Sequence, residues 1–391
     1  MTRPDRKPTV LQVIPDLKTG GAERTTVDVA KALIDAGWGA IVVSQGGRMV
    51  EELEAIGATH ITLPVKSKNP VQIWRNAAQL QKVIRENGVD LIHARSRAPA
   101  WSALWAARRE KISFVTTYHG IYNQTNALKG FYNSVMARGD AVIANSEYTA
   151  NLIRQRHPFA RDRITVVHRG SDLTALAPES VSEDRKAALR DNWGIADKRP
   201  VVLNLARLTA WKGQRVVIDA MAELARSGDT KTIAVLAGDS QGREAYLWDL
   251  RDRIARNKLQ KRVFLVGHCS DVPAALALAD ISVVASVEPE AFGRAAVEAQ
   301  AANVPVIVSD LGAVPETVLA PPEVIEDERT GWRVPPGDHV ALAVAIRMAL
   351  GLSDDARNDL TDRAANHVRA SFSVESMCAA TINVYRQLLG R

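Results

Sequence analysis

Two carboxylates in "SVEPEAFGRAAVEAQAANVPVIVSDLGAVPE" have the spacing to serve one ligand. Glu290 and Glu298 stand eight apart, the first in a loop and the second on a helix opened by Phe292-Gly293. A helix N-terminus offers N–H groups and partial positive charge to a phosphate, and a carboxylate two turns in can take two hydroxyls of a ribose. A solvated acidic helix would show the same letters. In "NLARLTAWKGQ", Arg207 and Lys212 flank a turn that closes on Gly213 after an apolar strand. Two fixed cations there suit a diphosphate leaving group, although two surface cations beside a turn would read alike. Gly20 and Gly21 in "DLKTGGAERTT" let something approach the backbone between a strand and a helix; a tight turn would use them equally well. They form neither G-x-G-x-x-G nor a P-loop, which argues against nicotinamide and ATP-hydrolysing chemistry. His119, in "TTYHGIY", follows another apolar strand, where a satisfied structural histidine is the ordinary occupant.

The elements that must position these groups are legible as short Val/Ile-rich runs alternating with helical periods, the pattern of parallel βαβ units. Strands are expected near 9–14, 39–44, 60–63, 90–94, 113–117, 140–144 and 164–167, with helices such as Glu23–Ala36 and Ile73–Asn87 between them. The rhythm lapses from about Arg169 to Pro200, apart from one helix in "EDRKAALRDNWG" that ends on Gly194. It restarts with "PVVLNLARL", "TIAVLAGD", "RVFLVGH", "ISVVAS", "PVIVSD" and "GWRVPP". The expectation is an α/β chain of two Rossmann-like domains, 1–175 and 176–372, with an amphipathic C-terminal helix in 373–391 crossing back to the first domain.

Composition narrows the class. No apolar h-region follows "MTRPDRKPTV" and no run is apolar enough to span a bilayer, so neither export nor a membrane anchor is expected. Cys269 and Cys378 lie far apart without ligand-spaced neighbours, so neither a disulfide framework nor a zinc site is expected, and a reducing cytoplasm fits. Charge is uneven. Lys66 to Arg138 holds twelve Lys or Arg against Glu86, Asp90 and Glu110, a larger excess than the net +6 of the whole chain. Such a stretch attracts anions such as phosphorylated acceptors, acidic membranes or nucleic acid, or it simply keeps the protein soluble.

Taken together, these stretches resemble the family 4 glycosyltransferases, retaining enzymes of the GT-B architecture. "TGGAER", "TTYHG", "ANSEYT", "ARLTAWKG", "AGD", "EAFGRAAVEA", "PVIVSDLGAVPE" and "GWRVPPGD" follow one another in the family's order through nearly the whole chain. The resemblance implies two parallel sheets facing a central cleft, the first domain taking the acceptor and the second a nucleotide-sugar. It assigns Arg207 and Lys212 to the donor diphosphate, Glu290 to the transferred sugar and Glu298 to the nucleotide ribose. The amides of Phe292 and Gly293 would face the diphosphate or sugar, and Gly20-Gly21 would let the first domain's backbone approach the donor phosphates. His119 would sit near the reacting sugar. The expected activity is retaining hexosyl transfer from a UDP- or GDP-sugar. No Asp-x-Asp occurs, which suits a reaction without metal or other cofactor.

Arg95 and Arg97, at a strand's carboxyl edge in the acceptor domain, suit a phosphorylated or acidic glycan. With "TTYHG", the stretch "RSRAPAWSALWAARREK" is similar to transferases of the alphaproteobacterial lipopolysaccharide core, which implies a glycan or glycolipid acceptor and no nucleic acid. Trp101, Leu104 and Trp105 share a stripe beside Arg108, Arg109 and Lys111. That marks either a face packed on the sheet or peripheral contact with an anionic inner-membrane surface. An epimerising or hydrolytic relative of the same architecture, and a non-catalytic glycan- or lipid-binding scaffold, are the alternative readings.

Overall fold

A computed structural model describes residues 6–18, 20–122, 124–195 and 198–390. Thr19 of "TGGAER", residues 1–5, residue 123, 196–197 of the polar linker and Arg391 lie outside them. The chain divides into two compact units, Met1–Gly170 with Val374–Arg391, and Ser171–Ser373.

Unit 1 holds strands β1 (Thr9–Val13), β2 (Gly39–Ser44), β3 (Thr59–Thr62), β4 (Leu91–Ala94), β5 (Ser113–Tyr118), β6 (Ala141–Ala144) and β7 (Ile164–Val166). Their order is β3-β2-β1-β4-β5-β6-β7, with every pair parallel. Helices α1 (Gly21–Asp35), α2 (Val50–Ala55), α3 (Pro70–Asn87), α4 (Arg97–Glu110), α5 (Ala127–Asn133) and α6 (Glu147–Arg156) make the crossovers. The sequence dictates several of their ends. Pro70 opens α3 behind Asn69, whose Oδ1 accepts from Val71 N at 2.9 Å, and Gly88 closes it at φ 58°.

Unit 2 opens with α7 (Glu183–Trp193), capped by Ser182 and ended by Gly194 at φ 69°. Its sheet comprises β8 (Val201–Leu205), β9 (Ile233–Ala237), β10 (Val263–Gly267), β11 (Ile281–Val284), β12 (Val306–Ser309) and β13 (Trp332–Val334). It is parallel and ordered β10-β9-β8-β11-β12-β13. Around it lie α8 (Gln214–Arg226), α9 (Glu244–Arg256), α10 (Val272–Ala277), α11 (Arg294–Ala301), α12 (His339–Leu350) and α13 (Asp354–Phe372). Buried apolar residues fill both faces of each sheet, which is why the strands read as near-continuous apolar runs.

The last helix, α14 (Val374–Leu389), belongs to unit 1, where Met377, Ile382 and Tyr385 share a core with Val10, Val27 and Leu33. The first boundary falls at 170/171, five residues before the expected 175/176, because Ser171 N donates to Phe372 O at 2.9 Å and ties residues 171–175 to the end of α13. The tryptophan stripe of α4 also differs from an exposed band. Leu104 is buried and Trp101 half-buried, while Trp105 remains exposed. Among the described residues no helix is long and apolar enough to cross a membrane. Cys269 and Cys378 are both buried free thiols.

Candidate active site

In each sheet two neighbouring strands send their following chain to opposite faces, and the crevice opens between their carboxyl ends. In unit 2 that point lies between β8 and β11, and both charged stretches stand on it. Arg207 and Lys212 follow β8; Glu290, Phe292 and Gly293 follow β11. The turn carrying Lys212 closes on Gly213 at φ 73°, where a Cβ would lie 1.7 Å from Ala285 O, so only glycine lets it press against the end of β11. That pressure brings Lys212 Nζ to 2.7 Å from Glu290 Oε1, both side chains largely buried. Ser286 Oγ donates to the same carboxylate oxygen, and Glu290 O accepts from Ala313 N at 2.9 Å.

The electrostatics are those of a compressed cation cluster. Burial pushes the Lys212 ammonium below its ordinary value; Glu290 opposes the shift, and the nearby Arg207 and Arg294 charges add to it. Arg207 is exposed, and no side-chain partner occupies its guanidinium among the described residues. Gly293, at φ 113°, caps α11 and its carbonyl accepts from Ala296 N at 3.0 Å, so in the first turn the N–H groups of Arg294 and Ala295 are the ones with no carbonyl within the helix. The Phe292 ring is buried edge-on against Phe372, 5.6 Å between centroids, and anchors that helix start to the core. Glu298, in the second turn, accepts from Arg294 Nε at 3.1 Å. The structure thus brings the predicted donor residues of unit 2 to one switch point, with both carboxylates already engaged by cations, while Gly20 and Gly21 lie in unit 1. Ser286 and Arg294 complete the set; the spacing of Arg294 four residues before Glu298 was the readable sign of the second pair.

Unit 1 has its own switch point, between β1 and β4, and the sequence-predicted residues divide there. Gly20 caps α1 at φ 152°. Gly21 is not left open: a Cβ on it would lie 1.6 Å from Arg169 Nη2, so the missing side chain makes room for a guanidinium where a donor phosphate was expected. Arg95 is not a surface cation. It is 2% exposed and donates from Nε and Nη2 to Gln12 Oε1 at 2.9 and 2.6 Å, while Gln12 Nε2 donates to Thr26 O in α1. Arg97 points elsewhere, 4.3 Å over the Tyr122 ring and donating to Asn133 Oδ1 at 2.8 Å. The two arginines expected to meet one acceptor are therefore split, because Arg95 enters a buried seam and Arg97, two positions on, opens a helix.

What gathers instead is a small cleft lined by Thr25, Arg95, Thr117, His119, Asn145 and Arg169. Burial and the charges of Arg95 and Arg169 hold the His119 imidazole well below its ordinary value, hence neutral at pH 7. Among the described residues its Nε2 and the Oδ1 of buried Asn145 have no hydrogen-bond partner. Behind this cleft the fully buried His93 bonds Tyr385 OH of α14 through Nδ1 at 2.6 Å and Thr117 Oγ1 through Nε2 at 2.7 Å. Sequence reasoning missed Asn145, Arg169, His93 and Tyr385. Arg169, next to the end of β7 in "VVHRG", offered the one local cue.

Comparisons with known proteins bear on the family and the fold. The model of Glycosyltransferase Family 4 matches residues 19–175, and that of Glycosyl transferases group 1 matches residues 185–367. A solved glycosyltransferase of Rickettsia africae ESF-5 superposes with a TM-score of 0.87 at 33% identity, covering 98% of this chain and 99% of that one. The Anabaena HepE protein, solved with UDP, shares the fold at a TM-score of 0.81 and 24% identity over 97% of this chain and 100% of its own. Among curated relatives, a D-inositol 3-phosphate glycosyltransferase of Jonesia denitrificans is 26% identical over 67% of this chain, and an alpha-D-kanosaminyltransferase of Streptomyces kanamyceticus 30% identical over 63%. The matches span 63% and 60% of the length of those two relatives.

Proposed function

The chain belongs to the family 4 glycosyltransferases, and from that premise we propose a retaining hexosyltransferase. Its donor is a UDP- or GDP-sugar, and its acceptor a lipid-linked or lipopolysaccharide-core glycan at the cytoplasmic face of the inner membrane. The observation that carries the reading is the Lys212–Glu290 pair at the β8/β11 switch point, with the charges of Arg207 and Arg294 acting on Lys212. A diphosphate placed there meets Arg207 and the N-terminus of α11 and draws the Lys212 ammonium from Glu290, freeing that carboxylate for the sugar hydroxyls. Glu298 holds the ribose. As the carbon–oxygen bond to the diphosphate breaks, the acceptor hydroxyl bonds the same face of that carbon and passes its proton to the departing phosphate oxygen. These cations supply the charge stabilisation, so no metal or other cofactor is required.

On the acceptor side, the cleft lined by Arg169 and His119, whose buried Nε2 has no partner among the described residues, favours an acceptor whose reacting sugar carries an anionic group; the D-inositol 3-phosphate relatives are named for such a substrate. The test is calorimetric titration with UDP-, GDP- and ADP-sugars in the presence of EDTA. One of the first two is expected to bind, UDP-glucose being the first to try because HepE has been solved with it. Arg207→Ala should weaken that binding about tenfold or more. Failure of every nucleotide-sugar to bind, or binding restored only by a divalent ion, overturns the reading.

A further inference from the structure

The side of unit 1 formed by α4, α5 and the turn at 158–163 takes no part in either site, yet it leaves large apolar groups in water. Trp105 is 41% exposed, Leu128 83%, Phe131 63% and Phe159 53%. They are tied into one surface. Trp101 lies 6.1 Å from Trp105 and stacks on Phe131 at 5.3 Å and 26°. The Arg138 guanidinium stands 5.9, 6.0 and 5.6 Å from the ring centroids of Trp101, Phe131 and Phe159. Arg163 lies 6.0 Å from the Phe159 centroid. Among the described residues no carboxylate pairs with Arg138 or Arg163.

Scattered apolar side chains are ordinary on a surface, but aromatic rings grouped around cations that have no counter-ion are a different arrangement. The surrounding charge is predominantly positive, the exposed Asp162 of the turn standing in sequence between Arg161 and Arg163. The three acids between Lys66 and Arg138 are all neutralised locally, Glu86 by Lys82, Asp90 by Arg6 and Glu110 by Arg85. We infer that this face docks on an anionic bilayer, with Leu128 and the rings entering the headgroup region and Arg138 and Arg163 meeting lipid phosphates. The face begins beside the acceptor edge of unit 1, since α4 starts at Arg97 and α5 starts eight residues after His119.

The inference deepens the proposal of a membrane-borne acceptor and rests on it for its purpose. Its test contains neither donor nor acceptor, so either can fail alone. Full-length protein is pelleted with phosphatidylcholine vesicles, with and without about a quarter of phosphatidylglycerol. Binding is expected only to the mixed vesicles and should be lost in about 0.5 M salt. Leu128→Ser with Phe131→Ser should lower the partition about tenfold, and Arg138→Gln about fivefold. The double variant should melt as the wild type does, because both side chains are exposed; a lowered melting temperature would move the test to Phe159→Ser. Absence of binding, binding indifferent to anionic lipid and salt, or a double variant that binds undiminished overturns the inference. So does a wild type that self-associates while the double variant is monomeric, since a second copy would then cover the face.

Discussion

The two switch-point sites solve the problem of holding charge in opposite ways. In unit 2 cations face carboxylates, Lys212 with Glu290 and Arg294 with Glu298. In unit 1 the buried Arg95 faces the neutral amide of Gln12, and the histidines beside it are held uncharged. Paired charges can exchange partners when a diphosphate arrives, because the ligand replaces one ion pair by another. Charges and dipoles bonded to neutral groups form a frame that stays put, and among the described residues they leave His119 Nε2 and Asn145 Oδ1 without partners. The contrast separates a site built to be re-paired from one built to be filled.

Removing Lys212 gives the largest expected effect. Lys212→Ala should lower donor turnover by about 10²–10³, the cost of one fixed charge at a developing anion. It also strands Glu290 beside Ser286, so some stability should go with it. Adding Glu290→Gln should restore the melting temperature without restoring turnover. A single variant that turns over within about tenfold of wild type would break the assignment of unit 2 as the reacting site.

The frame of unit 1 predicts a smaller loss, read in stability. His93→Phe keeps the ring volume but orphans the Thr117 hydroxyl on its His93 side and leaves the Tyr385 hydroxyl with Arg95 alone, a loss of about 1–3 kcal/mol. Urea unfolding should show a loss of about 2–3 kcal/mol, and Tyr385→Phe a comparable one, because it strands both His93 Nδ1 and the Arg95 donor. A change under about 0.5 kcal/mol for His93→Phe would mean the buried chain from α14 to the sheet edge holds nothing in place.

Much of this contrast was legible in the residues. Strands such as 39–44 and 90–94 announce themselves because a sheet covered on both faces must be apolar throughout, while a helix end was marked by Gly194 and the turn carrying Lys212 by Gly213. Charged residues that pair within a few positions, such as Arg294 and Glu298, were also readable, since helical spacing fixes their distance. The cleft of unit 1 was not. Arg95 reads as a surface cation until Gln12, 83 positions away, is seen to bond it. His93 reads as one more strand residue until a helix 292 positions later delivers Tyr385. Gly21 reads as space for a ligand until Arg169 fills it. Burial by distant elements reverses the apparent role of each, and sequence periodicity carries no record of which distant side chain arrives.

The same frame sets a pH dependence. Because burial holds His93 and His119 well below the ordinary 6.5, the unfolded chain binds protons that the native state refuses as pH falls beneath that value. Stability should therefore decline on acidification from about pH 6.5, by about 1.4 kcal/mol per unit for each such histidine until its native value is reached. His60 and His157 shift in the same direction, so the informative quantity is the difference between wild type and His119→Asn. The variant should lose one histidine's share of the slope. Identical slopes would show that His119 titrates freely and that the unit 1 cleft is wet.

The smallest effect belongs to the outer ion pair of unit 2 and tests whether pairing alone marks a working charge. Arg294 is largely exposed and meets Glu298 at i and i+4, a geometry worth about 0.3–0.5 kcal/mol in solvent. Lys212 and Glu290 are both largely buried at 2.7 Å, where removing one partner leaves the other without compensation. Arg294→Gln should thus leave the melting temperature within about 2 °C of wild type and weaken donor binding less than about threefold by calorimetry, mainly at low salt. If it instead matched Lys212→Ala, the positive field of the site would be shared evenly among its three cations, and the division between an inner pair that reacts and an outer pair that trims the ribose carboxylate would fall.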